Sequence, residues 1–595
     1  MNAAVKIAAP LADWNAVQQV TSQGWPDDLP QSTYALIQRA ADRFGDAKAL
    51  SFFLEAKAHK RTSSWTFRRY FEAVTRTANL FHRLGVGPDD VVALVLPNLP
   101  ETYFCLWGGE AAGIALPINP LLEPGGIADL LRAAKARIVV TVAPFPGSDL
   151  YEKVSAAVAE SPDVTDLVTV DLAQSVLGWK ALPARLKQAQ LVRAAKPHLR
   201  PGIHVTRYHK AIAGVAGDRL ESGRTPKGED VASYFGTGGS TGAPKLAMRT
   251  HANEVANTFM STRMLGDGLA PGEVIFAGLP LFHVNGALVT GLSPLLTGGH
   301  VLLGTPQGYR GPGLISRFWD IVEQHRVSFF SGVPTLFSSL MQTSPKGKDL
   351  SSLRFAICGA APMAPELIAQ FEQATDIRIL EGYGLTEATC VASVNPLDGV
   401  RKAGSVGLPL PFQSTRIAVL DDQDKWVHDA AIGETGTIAL SGPNVFLGYR
   451  IEAQNKGLWL TDRDDAQWLN TGDLGALDAD GYLWLKGRTK DVIIRGGHNI
   501  DPAMIEDAFY AHPAVALAAA IGRADEHAGE VPVVYVELKP GQTVDEAALL
   551  AFADERIMER SARPKAIYIL PTLPLTAIGK VFKPELRRID QERLG

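Results

Sequence analysis

The run Val91-Val92-Ala93-Leu94-Val95-Leu96 constrains the fold most, because an unbroken apolar run of this length suits a strand covered on both faces. Shorter runs of the same kind recur at 114–117, 138–142, 274–277, 301–303, 327–331, 355–358 and 377–380. Helical patterns at 101–112, 127–134, 284–296 and 315–325 separate them. That alternation predicts parallel sheets with helices on their faces, an α/β fold class. Two further helical patterns, 33–44 and 67–84, precede the first strand, whereas residues up to about 31 carry little pattern beyond the anchors Trp14 and Trp25. From 407 to 478 the chain is turn-rich and β-like, predicting a small β subdomain within a large N-terminal unit, 1–489. Residues 490–595 read as a compact α+β domain.

At 595 residues, 46% hydrophobic and 20% charged, the chain has material for two to four globular domains. A formal net charge of -5 argues against nucleic acid as a partner. The three cysteines, Cys105, Cys358 and Cys390, show no metal-like spacing and fit a reducing cytoplasm. No signal peptide or membrane span is expected.

Residues 234–245 read Tyr-Phe-Gly-Thr-Gly-Gly-Ser-Thr-Gly-Ala-Pro-Lys. Glycine and hydroxyl positions from Thr237 through Gly238, Gly239, Ser240 and Thr241 to Gly242 can turn N–H groups around a phosphate, with Lys245 adding charge. The stretch fails the Walker pattern, since Ala243 and Pro244 intervene before the lysine. It also fails the dinucleotide pattern, since Thr241 stands where the third glycine belongs. Gly238-Gly239-Ser240-Thr241-Gly242 formally satisfies a hydrolase elbow, but Pro244 would fall in the opening turns of the helix that elbow requires. A hydrolase on Ser240 and a ligand-free glycine turn stay as minor readings.

Together with 383–387 (Tyr-Gly-Leu-Thr-Glu), 471–473 (Thr-Gly-Asp), 487–491 (Gly-Arg-Thr-Lys-Asp), Gly496-Gly497 and 574–580 (Pro-Leu-Thr-Ala-Ile-Gly-Lys), the loop resembles the adenylate-forming superfamily of acyl-CoA synthetases, adenylation domains and luciferases. The likeness runs from about Thr33 to Arg588. It implies that a carboxylate attacks the α-phosphate of ATP to give an acyl-adenylate, and that the thiol of coenzyme A then displaces AMP. By the same resemblance the loop and Lys245 hold the β- and γ-phosphates, Thr386 donates to phosphate and Glu387 binds Mg²⁺. Tyr383, its ring left open by Gly382 and Gly384, stacks on adenine opposite Gly359-Ala360-Ala361, with Glu381 in the same nucleotide-binding stretch. Asp473 takes the ribose hydroxyls beside Arg488, and Lys580 reaches the carboxylate and α-phosphate. Lys490 matches the hinge, and Gly496 and Gly497 the passage for the pantetheine arm. His283 occupies the position where relatives place an aromatic residue beside the substrate carboxylate. Val284, Asn285, Gly332 and Val333 complete an acyl pocket.

No aspartate lies between 279 and 291 to hold an α-ammonium, so a fatty or other hydrophobic acid is expected rather than an amino acid. Aryl or cinnamate-type acids, delivery to a carrier protein instead of CoA, and a nucleotide binder without catalysis are the alternatives. The loop departs from the usual Ser-Gly-Thr-Thr-Gly at Gly238 and Ser240, and Leu246 stands where glycine is usual. Residues 172–217 contain no acid but eight Lys or Arg. They read first as a surface excursion and second as a peripheral contact with an anionic membrane. A homodimer is the assembly considered.

Overall fold

A computed structural model describes residues 9–594 except 196–198, 238–243, 362, 422, 489–490, 492, 496–497, 501, 526–527, 558–559 and 577–578. Gly238 to Gly242, Lys490, Gly496 and Gly497 therefore lie outside the described residues. No helix among the described residues is long and apolar enough to cross a membrane.

Two largely parallel sheets form the N-terminal part. The seven-stranded sheet runs His204–Arg207, Asp166–Val170, Ala136–Val142, Val91–Val95, Ile114–Pro117, Val231–Thr237 and Lys245–Thr250, with only the last strand antiparallel to its neighbour. The nine-stranded sheet runs Leu408–Pro409, Val391–Val394, Arg378–Gly384, Phe355–Cys358, Val327–Gly332, Val274–Ala277, His300–Leu303, Lys48–Phe52 and Ser63–Thr66. Val91–Val95 is buried at every position, as its unbroken apolar character requires. One core cluster holds residues of both sheets, Val92 and Val139 from the first, Ile275 and Phe329 from the second. Helix Pro100–Ala112, started by its proline, is buried throughout and joins them: Phe104 meets Trp65 edge-on and Tyr103 lies against Gly291.

A six-stranded antiparallel sheet follows, its strands spanning Ser414–Leu420 to Leu483–Arg488, so its last strand lies past 478, and Leu408–Pro409 belongs instead to the nine-stranded sheet. The C-terminal residues build a separate five-stranded sheet. Helices Pro502–Tyr510 and Glu546–Asp554 cover one face and helix Lys583–Leu594 the other, each with its own apolar cluster.

Four local expectations change. Residues before 31 include helix Trp14–Ser22, capped by the Asp13 carboxylate, which accepts from the Ala16 N–H at 2.8 Å. Lys245–Thr250, for which the sequence suggested no element, is a strand antiparallel to Val231–Thr237. The expected helix 284–296 is a π-helix, Asn285–Leu292, followed by a short α-helix, Ser293–Thr297, that opens at Pro294. The strand expected to stop at 380 continues to Gly384 by pairing with Val391–Val394.

Candidate active site

Three adjacent parallel strands bring the predicted residues to one sheet edge. Register sets Gly332 beside Cys358 and Cys358 beside Glu381, and the Gly359 N–H donates to the Gly332 carbonyl at 3.1 Å. Carboxyl ends of parallel strands are where open α/β sheets bind ligands. Gly359-Ala360-Ala361 leaves this edge with Ala360 at φ 68°, a strained value for a residue with a β-carbon.

Tyr383 is set deeper than its flanking glycines suggested. It is 8% exposed, packs with Ala388, Ala392 and Leu483, and its hydroxyl donates to the Asp473 carboxylate at 2.6 Å. Gly384 answers to the neighbouring backbone, since a β-carbon there would stand 1.8 Å from the Cys390 carbonyl oxygen. Asp473 is opposite Arg488 in the antiparallel register. Glu381 turns to the Gly404 N–H, which donates to it at 2.9 Å. Burial pushes its carboxyl up to about 7 against that bond, and Asp507 on helix Pro502–Tyr510 raises it further.

On the phosphate side, Thr237 and Lys245 face each other across the hairpin. Past Arg378–Gly384, Thr386 and Glu387 begin a single 3₁₀ turn. The residue that joins these parts was not singled out from sequence. Tyr449 pairs with Ala247 across a β-bridge, its hydroxyl donates to Glu387 Oε1 at 2.5 Å, and its ring lies under the Lys245 ammonium at 4.9 Å. The only sequence signal was a tyrosine beside Gly448, too common a pair to single out.

The hairpin is fixed from below by an ion pair. Arg249, 1% exposed, contacts Glu254 at 2.8 Å, donates to the Thr389 carbonyl at 2.9 Å and lies 3.8 Å over the Phe235 ring. Ser233 donates to the same Glu254 oxygen at 2.5 Å.

His283 lies just before the π-helix Asn285–Leu292. Its Nδ1 accepts from the Asn285 N–H at 3.4 Å, leaving Nε2 as the protonated nitrogen. Burial and then the Lys580 ammonium lower its pKa to about 4, so the ring is neutral near pH 7. Val284 and Val333 are buried, and Asn285 Oδ1 is buried without a hydrogen-bond partner among the described residues. Lys580 arrives on a tight turn in which its N–H donates to the Thr576 hydroxyl at 3.1 Å and Gly579 has φ 86°. A β-carbon at Gly579 would stand 2.9 Å from Thr335 Oγ1 and 3.4 Å from Val333, so the turn lies against these two residues. Arg310 donates to the Thr576 carbonyl at 3.2 Å from the large unit.

Sequence comparison identifies the family. Residues 37–450 match the family model for AMP-binding enzymes, and 504–580 match the model of that family's C-terminal domain. The chain is 38% identical over 555 residues to the marinolic acid–CoA ligase of Pseudoalteromonas sp. (strain SANK 73390), covering 92% of this chain and 79% of that one. It is 30% identical over 585 residues to a long-chain-fatty-acid–CoA ligase of Bacillus subtilis (strain 168), covering 96% and 97%. Among solved structures, ATP-bound MatB from Rhodopseudomonas palustris superposes with a TM-score of 0.74 at 25% identity, covering 95% of this chain and all of that one. The chain belongs to the AMP-binding enzymes, the adenylate-forming superfamily.

Proposed function

We propose that the protein activates a hydrophobic, fatty-type carboxylic acid with ATP and transfers the acyl group to coenzyme A. One carboxylate oxygen attacks the α-phosphorus and pyrophosphate leaves. The CoA sulfur then attacks the acyl carbon of the adenylate and AMP leaves with the former carboxylate oxygen. The observation that carries this reading is the Lys580 turn, seated on Val333 and Thr335 with its ammonium near enough to His283 to lower the imidazole pKa.

Attack of one anion on another needs positive charge where negative charge gathers. Lys580 supplies it at the carboxylate and α-phosphate, while neutral His283 offers an uncharged N–H to orient the acid. Thr237, Lys245, Thr386 and the loop 238–242 hold the triphosphate. Asp473, set by Tyr383, takes the ribose, and Tyr383 with 359–361 flanks adenine. Among the described residues no three His, Cys, Asp or Glu side chains cluster as a metal site. Glu387, a hard oxygen donor beside Thr386, still fits Mg²⁺, which commonly uses one carboxylate plus phosphate oxygens and water. Such an ion would neutralise phosphate charge. The hinge at Lys490, the boundary 489/490 and the CoA passage at Gly496-Gly497 complete the proposal. Small uncharged side chains after His283 and the absence of an acid there support a hydrophobic substrate.

The test is incubation with ATP, Mg²⁺ and a panel of fatty, aryl and short acids, with and without CoA, following AMP and thioester by mass. Thioester from fatty acids is expected. AMP release without any CoA thioester would overturn the CoA assignment, and turnover of aryl acids alone would overturn the acid class.

A further inference from the structure

The helix Ala181–Ala194 buries the wrong residues for an ordinary surface helix. Its buried side chain is Gln188, whose Oε1 accepts the Ala173 N–H at 3.0 Å and whose Nε2 donates to the Pro144 carbonyl at 3.4 Å. Leu182 and Leu186, four apart on one side of the helix, are instead 67% and 58% exposed. Trp179, in the 3₁₀ turn before it, is 78% exposed, and Leu177 is exposed beside them. An apolar row held outward by a polar anchor is a surface made to be covered.

Its charge says by what. Lys180, Arg185, Lys187 and Arg193 surround the row, and residues 172–217 contain no aspartate or glutamate to neutralise them. The Lys180 ammonium lies 5.5 Å over the Trp179 ring, and the Arg61 guanidinium stands 3.4 Å from the β-carbon position of Gly178. The edge strand His204–Arg207, later in the same acid-free segment, adds a half-exposed Val205. Cations with long aliphatic stems interleaved with Leu and Trp match the boundary between acyl chains and anionic headgroups. There the stems lie along apolar surface, the charges reach outward and tryptophan sits at headgroup level. A single weak apolar anchor binds membranes only marginally, and the basic residues provide the second signal.

We propose that residues 177–193 form an interfacial docking face for an anionic phospholipid bilayer, holding the enzyme where a hydrophobic acid is dissolved. This goes beyond the ligase reading and stands or falls separately from it. The full-length protein is expected to sediment with phosphatidylglycerol-containing vesicles, to stay in solution with pure phosphatidylcholine, and to be released by salt. Two triple variants test the two halves of the face: W179S/L182S/L186S and R185S/K187S/R193S. Each touches only exposed side chains, so melting temperature and AMP release with a water-soluble acid should match the parent. The basic variant should lose affinity on the order of a hundredfold, from three cations near the surface, and the apolar variant should also lose sedimentation. The proposal is overturned if the intact protein ignores anionic vesicles or if either variant sediments like the parent. A dimer that dissociates in the apolar variant without any vesicle binding would overturn it too, by assigning the face to a second copy.

Discussion

Tyr449 links two groups that chemistry needs held apart yet aligned: its hydroxyl bonds Glu387 and its ring carries Lys245. Tyr449→Phe keeps the ring and removes the bond to a carboxylate, an interaction of about 1.5–3 kcal/mol. Adenylate formation should fall roughly ten- to a hundredfold with the melting temperature nearly unchanged. An unchanged rate would show that Glu387 is held by its backbone alone. Lys580→Ala should reduce adenylate formation by about a hundred- to a thousandfold, yet spare thioester formation from a supplied acyl-adenylate. Equal losses in both half-reactions would contradict its role. Lys580 was legible because a lysine after glycine near the C-terminus completes a series of motifs. Tyr449 was not, because its meaning lies in partners more than sixty residues away that only the fold brings together.

At the scale of elements, strand Lys245–Thr250 shows why part of the site stayed hidden. Its residues Leu246, Ala247, Arg249 and Thr250 are buried while Lys245 and Met248 are not, so the period-two signal of a half-covered strand is absent. A buried arginine is an unusual strand residue, tolerated here because Glu254, Ser233 and the Thr389 carbonyl satisfy it. Arg249→Met should destabilise the protein by about 3–5 kcal/mol by stranding Glu254. Arg249→Met combined with Glu254→Leu should recover much of that loss. Chemical denaturation measures both, and equal losses in the single and double variants would mean that the pair contributes packing rather than charge balance. The strand through Glu381 to Gly384 was hidden for a different reason. Its apolar run stops at 380 and its glycines broke the pattern, whereas Gly384 makes room for the Cys390 backbone that leads into the next strand. The parallel strands themselves were plain, because burial on both faces leaves an unbroken apolar run that no loop reproduces.

Over the whole molecule, contacts between the two units among the described residues include the Arg310 bond to the Thr576 carbonyl, the Gly579 turn on Thr335, and the repulsion between Glu381 and Asp507. The last of these is titratable, and stability against pH should report it. His251, His283 and His300 are lowered from 6.5 to about 3, 4 and 4, chiefly by burial. The unfolded chain binds more protons than the folded one between pH 6.5 and those values, so their stabilisation is present above pH 6.5 and lost as pH falls. Glu381 has the opposite sign. Its pKa is raised from 4.5 to about 7, so its contribution is complete below pH 4.5 and lost as pH rises through 7. Glu110, pushed well up by burial and then by Glu254, shares that sign. Asp478 and Asp590, both lowered from 3.8, act below the histidine window. The three histidines should therefore pull the melting temperature down as pH falls below 6.5, while Glu381 opposes them across the overlapping window from 4.5 to 7. Glu381→Gln keeps an acceptor for the Gly404 N–H while removing the charge that meets Asp507, Arg401 and Glu372. It should remove that opposition, so the variant's melting temperature rises more steeply with pH than the parent's between 4.5 and 7 and runs parallel to it above 7. Melting curves from about pH 5 to 8 report this difference; a variant whose curve stays parallel to the parent's from about pH 5 to 7 would remove Glu381 from the coupling between the units.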